Sequence, residues 1–144
     1  MTLFDRLADL PPFNPDLDTD DPSEVIAAFR GLLQQSDAIF LSSPEYAHGV
    51  PGVLKNALDW IVGSGELVDK PIALVNASTR ATHAWASLKE TLTVMSARVI
   101  DDASLTIPLD GRKLDASGIA ADNELALLVR HAIRALTDAT DGPG

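Results

Sequence analysis

The chain has 144 residues with 46% hydrophobic content, enough for one domain with a real core. Eleven basic against 21 acidic residues give a net charge of −10, which argues against nucleic acid or an anionic membrane as partner. With no cysteine, disulfides, zinc–thiolate sites, iron–sulfur clusters and a Cys nucleophile are excluded. No apolar run approaches the ~20 residues of a membrane span, and Met1 to Leu10 lacks a signal-peptide layout, so a cytoplasmic protein is expected.

The first twenty-odd residues carry little core beyond Leu3, Phe4, Leu7 and Leu10. Pro11, Pro12, Pro15 and Pro22 punctuate an acidic stretch with Asp16, Asp18, Asp20 and Asp21, which predicts an extended surface loop with a solvated face. Asp21 as cap, Pro22 at the first helical position and Glu24 at the third predict a helix start, with Val25, Ile26, Phe29, Leu32 and Leu33 on one face. Ala38 to Leu41 runs apolar without alternation, as strands covered on both faces do. A helix is predicted from near Pro51, with Leu54, Ala57, Leu58, Ile61 and Val62 on one face and Gly63-Ser64-Gly65 ending it. Pro71 to Asn76 reads as a second buried strand, and Thr82 to Ala97 as a third helix with Ala84, Leu88, Leu92 and Met95 inward. Short strands are predicted at Arg98 to Ile100 and Ser104 to Ile107. Asp122 caps a last helix carrying Leu125, Leu128, Val129, Ala132, Ile133 and Leu136. The domain then spans residues 1–136, with 137–144 a flexible tail.

This alternation predicts an α/β fold, a parallel sheet between helix layers. Ligands of such folds sit at the carboxyl ends of the strands. The loops Ser42 to Val50 and Ala77 to Ala81 are therefore the candidate site. In the first, Pro44 stiffens the backbone, Tyr46 offers a flat aromatic face, and Gly49 permits close backbone approach, although the same residues also suit an ordinary turn. His48, His83 and His131 are the only histidines and lie on different elements, so a three-histidine metal site is not expected. No Gly-x-Ser-x-Gly elbow, Walker loop or Gly-x-Gly-x-x-Gly is present.

Leu41-Ser42-Ser43-Pro44-Glu45-Tyr46, followed by Gly49-Val50-Pro51-Gly52-Val53-Leu54-Lys55-Asn56-Ala57-Leu58-Asp59-Trp60, resembles the NADPH-dependent FMN reductase family. Lys70 to Asn76 is similar to that family's next strand. The resemblance implies a flavodoxin-like three-layer fold, FMN as cofactor, NADPH or NADH as co-substrate, and a quinone, flavin or azo-type small-molecule acceptor. It implies that the Pro44-Glu45-Tyr46 turn wraps the isoalloxazine ring, with His48 and Gly49 beside it. Ala47 stands where many members have Asn. Ser78 and Arg80 would border the flavin's pyrimidine edge, in a loop that is glycine-rich in many members. Lys55, Asn56, Asp59 and Trp60 occupy a region associated with dimer contact, so a homodimer anchored at Trp60 is expected. No catalytic side chain is implied, since the flavin carries the chemistry.

The front of the chain departs from the family's pattern. Members open with a strand, a Ser-rich loop containing Arg that cradles the FMN phosphate, and a helix. Met1 to Asp5 instead resembles the end of the family's second strand. The resemblance thus implies an N-terminally truncated fold with the first strand and helix missing, and weak FMN binding by these 144 residues alone. Three origins fit: a truncated or wrongly started reading frame, which is preferred, a partner that supplies the unit, or a rearranged sheet. The alternative function is a cofactor-free dimerising or binding module without redox activity.

Overall fold

The structure is a computed structural model that describes residues 1–109 and 111–141. Its centre is β2 (Pro71–Asn76), six residues that are all buried. They are buried because β2 is paired on both edges and covered on both faces. On one edge lies β1 (Ile39–Ser42), parallel, with Ile39 opposite Ile72 and Ser42 opposite Val75. The other edge carries β3 (Arg98–Val99) and β4 (Leu105–Thr106), also parallel, opposite Pro71–Ile72 and Val75–Asn76 respectively.

β3 and β4 are two halves of one interrupted edge. A 3-10 turn at Asp101–Ala103 separates them and leaves the middle of β2 without a backbone partner there. Ser104 fills that gap. Its hydroxyl accepts from the Leu74 N–H at 3.0 Å and donates to the Ile100 carbonyl at 2.8 Å. A buried backbone N–H is thereby satisfied by a side chain where the ladder is broken.

The pleat sorts β2 between two cores. Ile72 and Leu74 face α1 (Glu24–Gln35), α2 (Gly52–Asp59) and α3 (His83–Val94), through Ile26, Phe29, Leu54, Leu58, Leu88 and Leu92. Ala73 and Val75 face α5 (Asn123–Asp138), which contributes Leu125 and Leu136. This is the expected three-layer α/β arrangement. A short α4 (Ala116–Ala121) precedes α5. Asp115 caps α4 through the Gly118 N–H, and Asp122 caps α5 through the Glu124 and Leu125 N–H groups.

Several expectations are corrected. Met1 to Asp5 forms no strand; the Phe4 ring lies 5.1 Å from that of Phe29 instead. The following segment is more than a surface loop, because Leu10 is buried and the Pro11 carbonyl accepts from both Trp60 Nε1 (2.8 Å) and Asn56 Nδ2 (3.0 Å). Asn56 Oδ1 accepts in turn from the Phe13 N–H, and the Phe13 ring stands edge-on to Trp60. Trp60 is 0% exposed, so it belongs to the core of its own chain and cannot anchor a contact with a second copy. Asp18 is drawn inward by the Arg30 guanidinium at 2.7 Å. α1 starts at Glu24 behind Ser23, so Asp21 and Pro22 lie outside it. α2 is shorter than expected, ending at Asp59, and α4 had no expectation. β1 is half-buried, since its outer edge carries no strand among the described residues. α5 reaches Asp138, into the segment expected to be a tail; residues 142–144 of that tail lie outside the described residues.

Replacing Ser104 by alanine strands the buried Leu74 N–H. Ser104→Ala is expected to destabilise the fold by about 1–3 kcal/mol, read from the urea unfolding midpoint. A conservative Ser104→Thr change, which keeps the hydroxyl, is expected to cost less.

Candidate functional site at the carboxyl ends of β1 and β2

Parallel pairing puts the loops after β1 and β2 on the same side of the sheet. The first loop folds into a tight hairpin. The Tyr46 N–H donates to the Gly49 carbonyl at 3.0 Å and the Gly49 N–H donates to the Tyr46 carbonyl at 2.9 Å. Ala47 and His48 between them have φ of 49° and 62°. A two-residue turn that matches strand twist needs both central residues left-handed, which suits Asn and Gly. Alanine there is strained.

Gly49 itself has no positive φ, and a Cβ added to it would meet only the Tyr46 carbonyl oxygen, at an ordinary 3.4 Å. Nothing inside the described chain demands glycine there. The Tyr46 side is open, the residue being 68% exposed. Pro44 is exposed too, and the Ser43 hydroxyl donates to its carbonyl.

Glu45 turns the other way. Its side chain is only 11% exposed, and Oε2 accepts from the Ala84 N–H in the first turn of α3 at 2.8 Å. Oε1 lies 3.2 Å from His48 Nδ1. The His48 and His83 rings meet edge to face, 4.2 Å between centroids. The Ala84 hydrogen bond holds the Glu45 carboxyl below its usual 4.5; burial opposes this, while the His83 backbone and then the His48 and His83 charges add to it.

The second loop is braced by buried Asn76. Its Nδ2 donates to the Ala81 carbonyl at 2.8 Å and its Oδ1 accepts from the Ser78 N–H at 3.0 Å. Ser78 Oγ accepts from the Arg80 N–H at 3.2 Å. Leu41, Glu45, Asn76, Ala84 and Trp85 line a shallow hollow between the loops and α3.

Of the residues expected at the site, the structure brings Glu45, His48 and the α3 terminus into contact, exposes Tyr46, and sets Ser78 and Arg80 on the adjoining loop. Sequence reasoning named neither Asn76 nor His83 as a site residue. An Asn closing a strand before Ala77-Ser78-Thr79 is an Asx-turn signal. The His83 contact spans 35 positions and has no local signature. Among the described residues no group of three or more potential ligands could hold a metal ion.

Two outcomes follow from this geometry. Ala47→Asn relieves the left-handed strain and is expected to raise stability by about 0.5–1 kcal/mol in chemical denaturation. The Glu45 pKa is depressed in the folded state, so its stabilisation is complete above about pH 4.5 and is lost as pH falls through the folded value. Glu45→Gln should therefore flatten the fall in melting temperature of the wild type between about pH 5 and about pH 3.

Comparison with known proteins bears on the family and the fold. The sequence profile of the family described as NADPH-dependent FMN reductase matches residues 1–111. A 2-hydroxy-1,4-benzoquinone reductase of a Burkholderia species is 31% identical over 121 residues, 80% of this chain and 66% of that protein. An NADH:(hydroxy)cinnamate reductase subunit of Vibrio ruber is 35% identical over 60% of this chain and 45% of its own length. A quinone reductase of Pseudomonas putida is 41% identical over 53% of this chain and 42% of its own. The matches thus span 42–66% of these relatives' own length. Among solved structures, the flavoenzyme NAD(P)H:(acceptor) oxidoreductase FerB of Paracoccus denitrificans superposes with a TM-score of 0.70 at 27% identity, over 94% of this chain and 77% of that one. The match over residues 1–111 places this chain in the NADPH-dependent FMN reductase family.

Proposed function

We propose that the protein is an NAD(P)H-dependent FMN oxidoreductase acting on a quinone, flavin or azo-type acceptor, and that residues 44–49 and 78–84 form its flavin-ring site. One observation carries the reading: an exposed aromatic ring, Tyr46, sits on a tight hairpin closed by Gly49 at the carboxyl end of β1. A side chain at Gly49 would compete with a flat ligand for the surface of the turn. Tyr46 would supply a face for the isoalloxazine, and Pro44, Glu45 and His48 the turn that carries it. Ser78 and Arg80 would border the other edge. When bound, FMN supplies the redox chemistry, accepting hydride from a nicotinamide and passing electrons onward. The chain's own task is to hold the turn in one shape and to keep water from the buried side of the hollow. Relatives named as quinone reductases support the acceptor class.

We further propose a homodimer. With Trp60 excluded as its anchor, the support comes from Val62 and Val94, 57% and 72% exposed, which share a surface hollow with Lys55, Asp59 and Glu90. Apolar residues rimmed by charge are typical of contact surfaces. No helix among the described residues is long and apolar enough to cross a membrane. A cytoplasmic location, where reduced nicotinamides are held, belongs to the same reading.

Gly49→Ala separates ligand contact from folding. It is expected to leave the melting temperature unchanged while weakening FMN binding about tenfold or more, followed by quenching of flavin fluorescence. Equal binding by both proteins would contradict the reading. Tyr46→Ala should weaken FMN binding more than Tyr46→Phe, because the ring rather than the hydroxyl makes the contact. Val62→Glu with Val94→Glu should convert a dimer to a monomer in light scattering; a wild-type monomer would refute the dimer.

A further inference from the structure

We infer that Glu45 is a positioning residue whose carboxylate couples the β1–α2 turn to the start of α3, and so sets the spacing between the two halves of the site. The inference rests on the flavin-site reading above for its consequence, but not for its geometry.

The two neighbours of Glu45 in function, Tyr46 and His48, are open to solvent, whereas the Glu45 side chain is not. Its two oxygens divide their contacts. Oε1 stays with its own turn, beside His48 Nδ1, and Oε2 crosses 39 positions of sequence to the Ala84 N–H. That crossing supplies something α3 lacks. Thr82 stands at the N-cap of α3 but makes no side-chain capping hydrogen bond. The first-turn N–H groups of a helix need an acceptor, and an anion is favoured there by the helix dipole. Glu45 is thus the cap of a helix to which it does not belong. The edge-to-face contact of His48 with His83 closes the same junction from the outside.

The consequence is mechanical. The hairpin holds two strained left-handed residues, Ala47 and His48, and such turns persist only where their surroundings over-determine them. The Glu45 bridge is that determinant. Movement of α3's first turn then moves the turn bearing Tyr46 and Gly49, and the hollow between them opens or narrows as one unit. A cap with purely local value would protect Ala84 and nothing else. A coupler protects Gly49, on the far side of the hairpin, as well.

The test compares the full-length wild type with Glu45→Ala and Glu45→Gln. Glutamine keeps an oxygen that can accept from the Ala84 N–H, and alanine does not. Amide hydrogen exchange in the ligand-free protein is the first readout. Glu45→Ala should speed exchange about tenfold at both Ala84 and Gly49, and Glu45→Gln should restore most of the protection. FMN affinity is the second. Glu45→Ala should weaken it about tenfold, and Glu45→Gln should stay within about threefold of wild type. Unfolding curves guard against a variant that simply fails to fold, and in that case the glutamine variant alone decides, through retained or lost protection at Gly49. Faster exchange at Ala84 with Gly49 unchanged would overturn the coupling; FMN affinity unchanged in a Glu45→Ala protein loosened at both positions would overturn the claim that Glu45 sets the spacing of the site. If the wild type binds no FMN while Glu45→Ala loosens both loops, the coupling stands and the flavin reading falls.

Discussion

Parallel pairing of β1 with β2 is the constraint on which the rest of this structure depends. Ile39 to Ser42 align with Ile72 to Val75, so both strands end together and both following loops emerge on one side. A parallel pair needs a long crossover, here through α2 and the turns after Asp59. That crossover is anchored by Trp60, wholly buried, and by Asn56. Both are tied to the backbone of the N-terminal segment at Pro11. The motif Lys55-Asn56-Ala57-Leu58-Asp59-Trp60 therefore has a structural purpose before any other: it fastens α2 so that the turn in front of it is held in place.

The site above this frame is built mostly from backbone and from side chains that serve backbone. Asn76 braces one loop, Glu45 ties that region to the other, and Ser104 repairs the ladder on the edge of β2 away from β1. The side chain left facing outward, that of Tyr46, is of a type that suits a flat ligand. A flavoprotein can be so constructed because the cofactor brings the reactivity, and the protein contributes position and exclusion of water. The strain at Ala47 and His48 is consistent with this division, since strained backbone collects where a ligand surface is held in shape.

Much of this was legible in the sequence, for identifiable reasons. β2 and α5 announced themselves through an unbroken apolar run and a capped apolar stripe, signals that depend only on local order. The Pro44-Glu45-Tyr46 turn and its helix carried the family. What was not legible depends on distance along the chain. Trp60 looked like an interface aromatic because no local pattern shows that Phe13 and the Pro11 carbonyl reach it from more than 40 positions away. The resemblance placed Glu45 in the turn without saying where its side chain goes; its inward carboxylate and the meeting of His48 with His83 exist only once β1 and β2 are side by side. The Asp21 start fails because the chain enters α1 only at Glu24, behind Ser23, which leaves Asp21 and Pro22 outside the helix.

The central claim is that the two loops beyond β1 and β2 form one flavin-ring surface. Titration of the isotopically labelled chain with FMN, observed through backbone amide chemical shifts, tests it directly and at any affinity down to the millimolar range. The account predicts saturable shifts confined to residues 44–49 and 78–84, with Gly49 and Ala84 moving together along one binding curve. Shifts concentrated elsewhere on the molecule, or none in those two segments at saturating FMN, would contradict it.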